Sequence, residues 1–282
     1  MTHPAPPPGA DEPAKPPDLP ALLRVWRRDA RRRRGWRCAW GLALLALLAL
    51  SMSEAKVSPV EFVRRLPQLG EWLVRLWPPD LSELPSFLSA LWETLAIAVV
   101  GTAFAAAAAL PLAVCVARTT APWPWLSPPL RALLNGLRAI DTAIFALLFV
   151  AVVGLGPFAG ALGVAFHTTG SMAKLFAEVL EGIPQETIEA VEATGAGRVR
   201  TFAFAVLPEA TPGLIGVGLY LWEYNVRSSV VLGIVGAGGI GYELLVSLKL
   251  LDFPRLAAIL ILILVMVSLI DALSAFLRKR LK

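Results

Sequence analysis

Two long stretches without a charged side chain constrain this chain more than any other feature. Thr94–Ala117 has 24 consecutive uncharged residues, and Thr142–Ala173 has 32. A helix needs about 20 apolar residues to cross the hydrocarbon core of a bilayer. Because backbone polar groups inside that core must be paired, helices are favoured. The two stretches therefore predict an all-α membrane protein, with a turn at Gly154-Leu155-Gly156-Pro157 that divides the longer stretch into two spans.

The composition agrees with this class. Hydrophobic residues make up 56% of the 282 residues, and charged residues make up 17%. A soluble domain has about 25% charged residues. The composition therefore argues against a soluble enzyme, a disordered protein and a disulfide scaffold. The two cysteines, Cys38 and Cys115, are interpreted as small packing residues, and no metal-site spacing is present in the sequence.

Six spans are predicted within a transmembrane domain of residues 37–282. Their approximate bounds are 38–53, 92–117, 132–153, 157–177, 210–232 and 255–277. Residues 1–36 are predicted to be a disordered arm, rich in proline and then in arginine. The first span is short, so a cleaved signal peptide is the alternative interpretation of that segment.

The basic residues predict the orientation of the spans. Residues 1–38 hold nine Lys and Arg against four acidic residues, and the chain closes on Arg278, Lys279, Arg280 and Lys282. Basic flanks favour the cytoplasmic side, so both termini are predicted to be cytoplasmic in a multi-pass protein. The arginines run directly into an apolar segment, which favours a lipid bilayer over nucleic acid as their partner.

The polar loop 183–208, between the fourth and fifth spans, is predicted to form a helical hairpin outside the membrane. Its first helix is predicted over Pro184–Thr194 and ends at Gly195, and a second short helix runs from about Arg198 to Leu207-Pro208. The apolar side chains of the hairpin are Ile188, Val191 and Phe202. Because neither lipid nor the hairpin itself can bury them, they predict docking to another protein.

At this loop the sequence resembles a known family. Glu189-Ala190-Val191, followed by Gly195 and Leu207-Pro208, resembles the cytoplasmic signature of ABC-importer permeases, which is Glu-Ala-Ala, three residues, Gly and later Leu-Pro. Val191 stands where the family has alanine. Four further segments are similar to the phosphonate-importer branch, and the resemblance covers about residues 85–275. They are Phe149–Phe158, Glu223–Ser228, Val231–Gly233 and Val235–Gly241.

The resemblance implies a type I permease architecture with cytoplasmic coupling helices, located in a bacterial inner membrane. It implies two permease copies that form the pore, two separate ATP-binding subunits and an extracytoplasmic phosphonate-binding protein. ATP and Mg would be bound by the partner ATPase, so no cofactor is expected in this chain. The residues that it marks for ATPase coupling are Glu189, Ala190, Gly195, Leu207 and Pro208.

The chain itself is predicted not to be an enzyme. It has no G-x-x-x-x-G-K-[ST] segment, so ATP hydrolysis must belong to a partner. No plausible nucleophile–base pair is present either, so no catalytic residue and no metal ligand is assigned.

Charged residues inside predicted spans leave two interpretations open. Glu223 and Arg227 are four residues apart, which suits a mutual ion pair that fixes helix packing. Alternatively, Arg227 and Asn225 line the substrate pathway with Glu223 and meet an anionic phosphonate. Arg138 and Asp141 are one turn apart and are expected to neutralise each other.

Four glycines follow the fifth span. Gly236, Gly238, Gly239 and Gly241 include the spacing G-x-G-x-x-G, which in nucleotide-binding folds follows a strand. A membrane span precedes it here. The glycines are therefore predicted to allow close helix approach or a bend at the outer mouth of the pore.

Two rival functions stay open. The first is a permease for another small solute, such as phosphite, a phosphate ester or an amino acid. The second is a stand-alone secondary carrier or channel, although no internal repeat of the kind found in carriers is apparent. A membrane enzyme is the third and weakest alternative.

Overall fold

The computed structural model describes residues 19–56 and 58–280, and within these residues the regular structure is helical throughout. There are eleven α-helices in the described part, together with a π-helical turn at Phe202–Val206 and a 3₁₀ turn at Gly233–Val235. The helices are α1 Leu19–Glu54, α2 Pro59–Arg75, α3 Leu84–Val116, α4 Ser127–Ala139, α5 Thr142–Val153, α6 Pro157–Glu181, α7 Gln185–Glu192, α8 Arg198–Thr201, α9 Leu207–Leu232, α10 Ile240–Leu250 and α11 Phe253–Arg280.

Contacts divide the chain into two compact units, Met1–Leu69 and Gly70–Lys282. In the first unit, α1 begins at Leu19, so the arm predicted to be disordered over residues 1–36 is helical from that residue onward. The reason lies in the composition, because the prolines end at Pro20, which suits a first helical turn, and Leu, Ala and Arg follow. The rest of that arm, residues 1–18, lies outside the described residues.

The second unit is built around α6, which packs against α3, α4, α5 and α9. Glycines on α6 allow this crowding. A Cβ on Gly163 would lie 2.7 Å from the backbone nitrogen of Ala146 in α5, and one on Gly170 would lie 2.7 Å from the carbonyl oxygen of Leu134 in α4. Small residues let helix backbones approach closely, so α6 is a central helix surrounded by protein.

The C-terminal ends of α3 and α6 lie side by side. Val116 and Leu180 share one buried cluster, and the backbone N–H of Arg118 donates to the Glu181 carboxylate at 2.8 Å. We call this the hairpin end, because α7 follows directly. The opposite end contains the run Gly236–Gly241 and is called the glycine end.

The predicted third span, 132–153, is wrong as a single helix. The helices α4 and α5 meet at an angle of 88°. Ile140 adopts an extended conformation, and Asp141 starts a new helix by accepting a hydrogen bond from the Ala143 backbone nitrogen at 2.8 Å. An aspartate is a preferred N-cap, and its side chain satisfies a backbone donor that a continuous helix would pair internally.

At the glycine end, the start of α11 is fixed to α3 and α10. Arg255 forms salt bridges with Glu83 at 2.8 Å and with Glu243 at 2.7 Å, and its guanidinium lies over the Phe87 ring. The helix α10 was not predicted. It follows the glycines, and it packs against α11 and α3.

Three described helical segments are long and apolar enough to cross a membrane: Leu84–Val116, Arg198–Val235 and Phe253–Arg280. The bent pair of α4 and α5 would make a fourth. The six-span count stays a prediction. The helix α6 falls outside this set because its inward residues are small or polar, among them Gly160, Gly163, Thr168 and Gly170. A helix packed against four others needs little lipid-facing apolar surface.

Candidate functional site: the hairpin and the polar groups of α9

The hairpin presents its signature residues to the surface. Glu189 and Ala190, on α7, are both exposed. The helix ends at Glu192, slightly before the predicted bound, and a turn leads to Gly195 at φ +80°. This left-handed conformation is easily adopted by glycine and costs other residues free energy, so Gly195 fixes the bend between α7 and α8.

The expectation that the apolar side chains of the hairpin require a foreign protein is wrong for two of them. Ile188 is only 8% exposed, and it packs in the same cluster as Leu180 and Val206, with Phe202 partly buried against them. The bundle itself therefore buries this face. The hairpin is consequently anchored to α6 and α9, so that a force on it reaches both helices.

Two other apolar side chains of the hairpin remain uncovered. Val199 is 82% exposed and Phe204 is 74% exposed. Next to them, a groove of about 600 Å³ lies between the hairpin and the loop that follows α3, and Arg118, Glu192 and Arg198 are among its lining residues. The exposed surface thus combines an acidic helix with apolar and basic neighbours.

The prediction that a separate short helix ends at Leu207-Pro208 is wrong. Residues Arg198–Val235 form one continuous 38-residue helical segment. The π-helical turn directly precedes the proline, and the Leu207 N–H donates to the Phe202 carbonyl five residues earlier. Because proline lacks an N–H and its ring crowds the preceding turn, one wider turn accommodates it without a break.

The charges of α9 form a network with α11. Arg227 donates to Glu223 at 3.0 Å and to Asp271 at 3.2 Å, and Arg278 lies 3.3 Å from Glu223. The mutual pair of the first interpretation is therefore present, within a four-residue network with no formal net charge. Sequence reasoning missed Asp271 and Arg278 as partners. The available signal was that charges within apolar spans need partners from another helix.

Asn225 does not face an open pathway in this structure. It is completely buried, its amide nitrogen donates to the Thr102 hydroxyl at 2.8 Å, and its amide oxygen accepts from the Thr168 hydroxyl at 3.1 Å. It therefore joins α9 to α3 and α6. The assignment of Glu223, Asn225 and Arg227 to the substrate pathway stays a prediction.

The glycines after α9 make close contacts. Gly236, Gly238 and Gly239 have φ between +71° and +92°. A Cβ on Gly241 would overlap the Val230 carbonyl oxygen, and the Ile240 N–H donates to the Thr94 hydroxyl at 2.9 Å. These positions suit tight packing of α10 against α3 and α9, as one of the two predicted roles requires.

Comparison with known proteins places this architecture in a family. Residues 109–282 match the family described as "Binding-protein-dependent transport system inner membrane component". The chain is 42% identical over 257 residues to the putative phosphite transport system permease protein HtxC of Stutzerimonas stutzeri, and the match covers 91% of this chain and 90% of HtxC. It is also 44% identical over 118 residues to the putative cryptic phosphonate transport system permease protein PhnE2 of Escherichia coli (strain K12), which covers 42% of this chain and 97% of PhnE2.

A solved structure shows a similar fold. One chain of the MetNI methionine ABC transporter, in an inward-facing conformation, superposes with a TM-score of 0.63 at 25% identity, over 72% of this chain and 98% of that chain. The family match agrees with two structural features, the exposed, glycine-bent hairpin and the continuous helix that leaves it. The chain is a member of the binding-protein-dependent transport inner membrane component family, within the phosphonate branch of the type I ABC-importer permeases.

Proposed function

We propose that this chain is the pore-forming permease subunit of an ATP-driven importer for phosphonates, and that a separate ATPase drives it through the hairpin 183–208. The observation that carries the proposal is the hairpin itself. Its inner face is buried in the bundle through Ile188, whereas Glu189 and Ala190 point outward. A small residue allows close approach of a partner, and a carboxylate accepts charge-assisted hydrogen bonds.

The hairpin end is proposed to face the cytoplasm. Among the described residues of the second unit, the basic residues at or near that end are Arg118, Arg131, Lys174, Arg198, Arg200, Arg278, Lys279 and Arg280. At the glycine end they are Arg75, Lys249 and Arg255. This asymmetry follows the positive-inside rule and leaves the C-terminus on the cytoplasmic side. The N-terminus is proposed to lie on the same side, with the membrane a bacterial inner membrane.

The partners follow from this arrangement. A second permease copy would complete the pore, two ATP-binding subunits carrying ATP and Mg would dock on the two hairpins, and an extracytoplasmic binding protein would deliver the phosphonate. ATP-driven closure of the ATPase pair would displace the hairpins. Because each hairpin is anchored to α6 and α9, the displacement would shift the bundle between inward-facing and outward-facing states.

Phosphite is a close alternative to phosphonate as the substrate. HtxC is named for phosphite and PhnE2 for phosphonate, and both are tetrahedral oxyanions of phosphorus. MetNI is named for methionine, at much lower identity. The higher identity of the phosphorus-linked relatives therefore favours a phosphonate or phosphite over an amino acid.

Affinity purification tests the coupling proposal. The tagged chain, extracted from its native membrane in mild detergent, is expected to bring down an ATP-binding subunit identified by mass spectrometry. Ala190→Glu places a bulky charge on the exposed face of α7 and is expected to lose that subunit without unfolding the bundle. Ser82→Glu introduces the same side chain at an exposed site near the glycine end, and it should retain the subunit.

Transport is the second measurement. Proteoliposomes with the purified complex and the binding protein should accumulate methylphosphonate only when ATP is enclosed with the ATPase. Retention of the ATPase by Ala190→Glu would contradict docking through this face of α7. Uptake without any ATPase would contradict the proposal and favour a stand-alone carrier.

A further inference from the structure

The bend of 88° at Ile140 and Asp141, where α4 meets α5, is called the α4–α5 elbow. A polar cavity lies halfway along the bundle, between this elbow, α6 and α9. Its volume is about 250 Å³, and its polar lining comes from Arg138, His167, Thr168, Ser171, Tyr220 and Tyr224. This is slightly below the range of about 300–1,000 Å³ in which drug-sized ligands bind, so the cavity suits a smaller solute.

The depth of the cavity follows from the helices that form it. A Cβ on Gly170, the fourteenth of the 25 residues of α6, would lie 2.9 Å from the Arg138 backbone nitrogen. Tyr220 is the fourteenth of the 26 residues of α9. The elbow therefore places an arginine near the middle of two membrane-embedded helices. An arginine at that depth is costly, and such residues usually face a partner or a water-filled path.

The charge of Arg138 is uncompensated within the described chain. Four other arginines of the second unit have carboxylate partners: Arg131 with Glu181, Arg227 with Glu223 and Asp271, Arg255 with Glu83 and Glu243, and Arg278 with Glu223. Arg138 has no carboxylate within salt-bridge distance among the residues that the structure describes. Asp141, the partner expected from the sequence, caps α5 instead.

The remaining lining groups suit a tetrahedral oxyanion. The guanidinium can bind two oxygens at once, and serine and tyrosine hydroxyls can donate to the others. The His167 Nδ1 lies 2.7 Å from the Ile140 carbonyl oxygen. A carbonyl only accepts, so Nδ1 carries the proton, and this hydrogen bond holds the ring against the elbow. The faces of Tyr220 and Tyr224 offer apolar surface for the carbon substituent of a phosphonate.

We infer that this cavity is an oxyanion-binding station within the permease, with Arg138 as the residue that binds the phosphonate or phosphite. The inference rests on the proposed function and names the site on this chain that the substrate occupies during passage. The substrate then contacts the α4–α5 elbow, and Arg227 belongs to the ion-pair network with α11 instead of the binding site.

Cysteine protection tests the site directly. Ser171→Cys is introduced after Cys38 and Cys115 are replaced by alanine, and the purified permease–ATPase complex is placed in phosphatidylcholine nanodiscs without the binding protein. The rate of labelling by neutral N-ethylmaleimide is measured with phosphite, methylphosphonate or inorganic phosphate present. Each oxyanion that binds is expected to slow the labelling several-fold. Ser89→Cys, an exposed position on α3, should be insensitive to the anions.

The arginine variants identify the binding residue. Arg138→Gln is expected to raise the half-protecting concentration of oxyanion about tenfold or more, because one charge-assisted contact is lost. Arg138→Lys keeps the charge but loses the bidentate geometry, so its half-protecting concentration should lie between those of the parent and Arg138→Gln. Equal protection in Arg138→Gln, or none in the parent, would overturn the site. Protection by added phosphatidylglycerol in place of the soluble anions would overturn it also, because the occupant would then be a lipid headgroup.

Uptake by the same complexes, reconstituted in proteoliposomes with the binding protein, separates this inference from the proposed function. ATP-dependent uptake of methylphosphonate that is unchanged in Arg138→Gln would overturn the site and leave the importer intact. If the unmodified complex accumulates none of the three anions, the proposed function itself fails. Loss of uptake in Arg138→Gln, with the ATPase still bound and hydrolysing ATP, supports both.

Discussion

At the residue scale, Asn225 shows how one polar side chain joins three helices inside an apolar bundle. Both ends of its amide are used, one by Thr102 on α3 and the other by Thr168 on α6. The sequence showed an asparagine in a span but gave no indication of these partners, which are 123 and 57 residues away. A hydrogen bond of this kind depends on which helix faces meet, and that is decided by packing.

Removing this amide should destabilise the bundle. Asn225→Ala leaves the buried Thr168 hydroxyl without its partner, whereas the Thr102 hydroxyl keeps its hydrogen bond to the Ala98 carbonyl. An unsatisfied buried polar group costs about 1–3 kcal/mol. We expect a lower melting temperature in detergent, measured by scanning fluorimetry. Asn135→Ala, at an exposed position on α4, provides the matched control and should melt like the parent. An unshifted melting temperature in Asn225→Ala would show that water or lipid satisfies the Thr168 hydroxyl.

At the element scale, the junction of α9 and α10 depends on glycine. The sequence predicted close approach there, and the structure identifies Gly241 as the position with least room, because a Cβ would overlap the Val230 carbonyl. A backbone atom cannot move aside as a side-chain tip can. The bend itself uses the positive φ values of the three preceding glycines.

Gly241→Ala is therefore expected to lower the folded yield and the melting temperature. Overpacking against backbone costs about 1–3 kcal/mol. A Cβ on Gly216, inside α9, would meet nothing within 4 Å, so Gly216→Ala should be neutral or slightly stabilising, because alanine is the better helix former. Size-exclusion profiles of the two variants measure the folded yield, and melting curves measure the melting temperature. Identical behaviour would mean that α10 can shift away from α9.

The ion-pair network between α9 and α11 is a second element-scale feature. Arg227→Gln leaves Glu223 and Asp271 without their shared cation, so we expect lower stability and weaker transport. Glu223 keeps its salt bridge to Arg278, so Asp271 is the carboxylate that loses its ion-pair partner. Adding Asp271→Asn removes that carboxylate and should restore much of the melting temperature and the uptake. Uptake that stays lost while the melting temperature recovers would instead support the second interpretation, in which Arg227 meets the substrate.

Some elements were predictable from hydropathy alone and others were not. The span near 92–117 corresponds to α3 and the span near 255–277 to α11, since both are long and uniformly apolar. The elbow at Ile140 and Asp141 was missed because apolar residues continue on its far side. The continuity of α8 with α9 was missed because a Leu-Pro pair usually marks an end, whereas here a π-helical turn absorbs the proline.

At the scale of the whole molecule, the placement of the ends is the testable claim. The hairpin end carries most of the basic residues of the second unit, so Thr194→Cys should react with a membrane-impermeant thiol reagent only from the cytoplasmic side. Ser82→Cys should react only from the outside. Labelling of intact cells and of inverted vesicles, after replacement of Cys38 and Cys115, measures this. Reaction of both cysteines from the same side would reject the orientation.

The sequence by itself determined that this chain is helical, embedded in a membrane and related to importer permeases. Uncharged length, basic flanks and the spacing of Glu189, Ala190 and Gly195 are local properties that need no folded partner. Only the tertiary structure decided that Ile188 anchors the hairpin, that Asp271 neutralises Arg227 and that Arg138 has no carboxylate partner among the described residues. Each of these depends on which helix faces come together, and residues that are distant in the chain meet only after the bundle has packed.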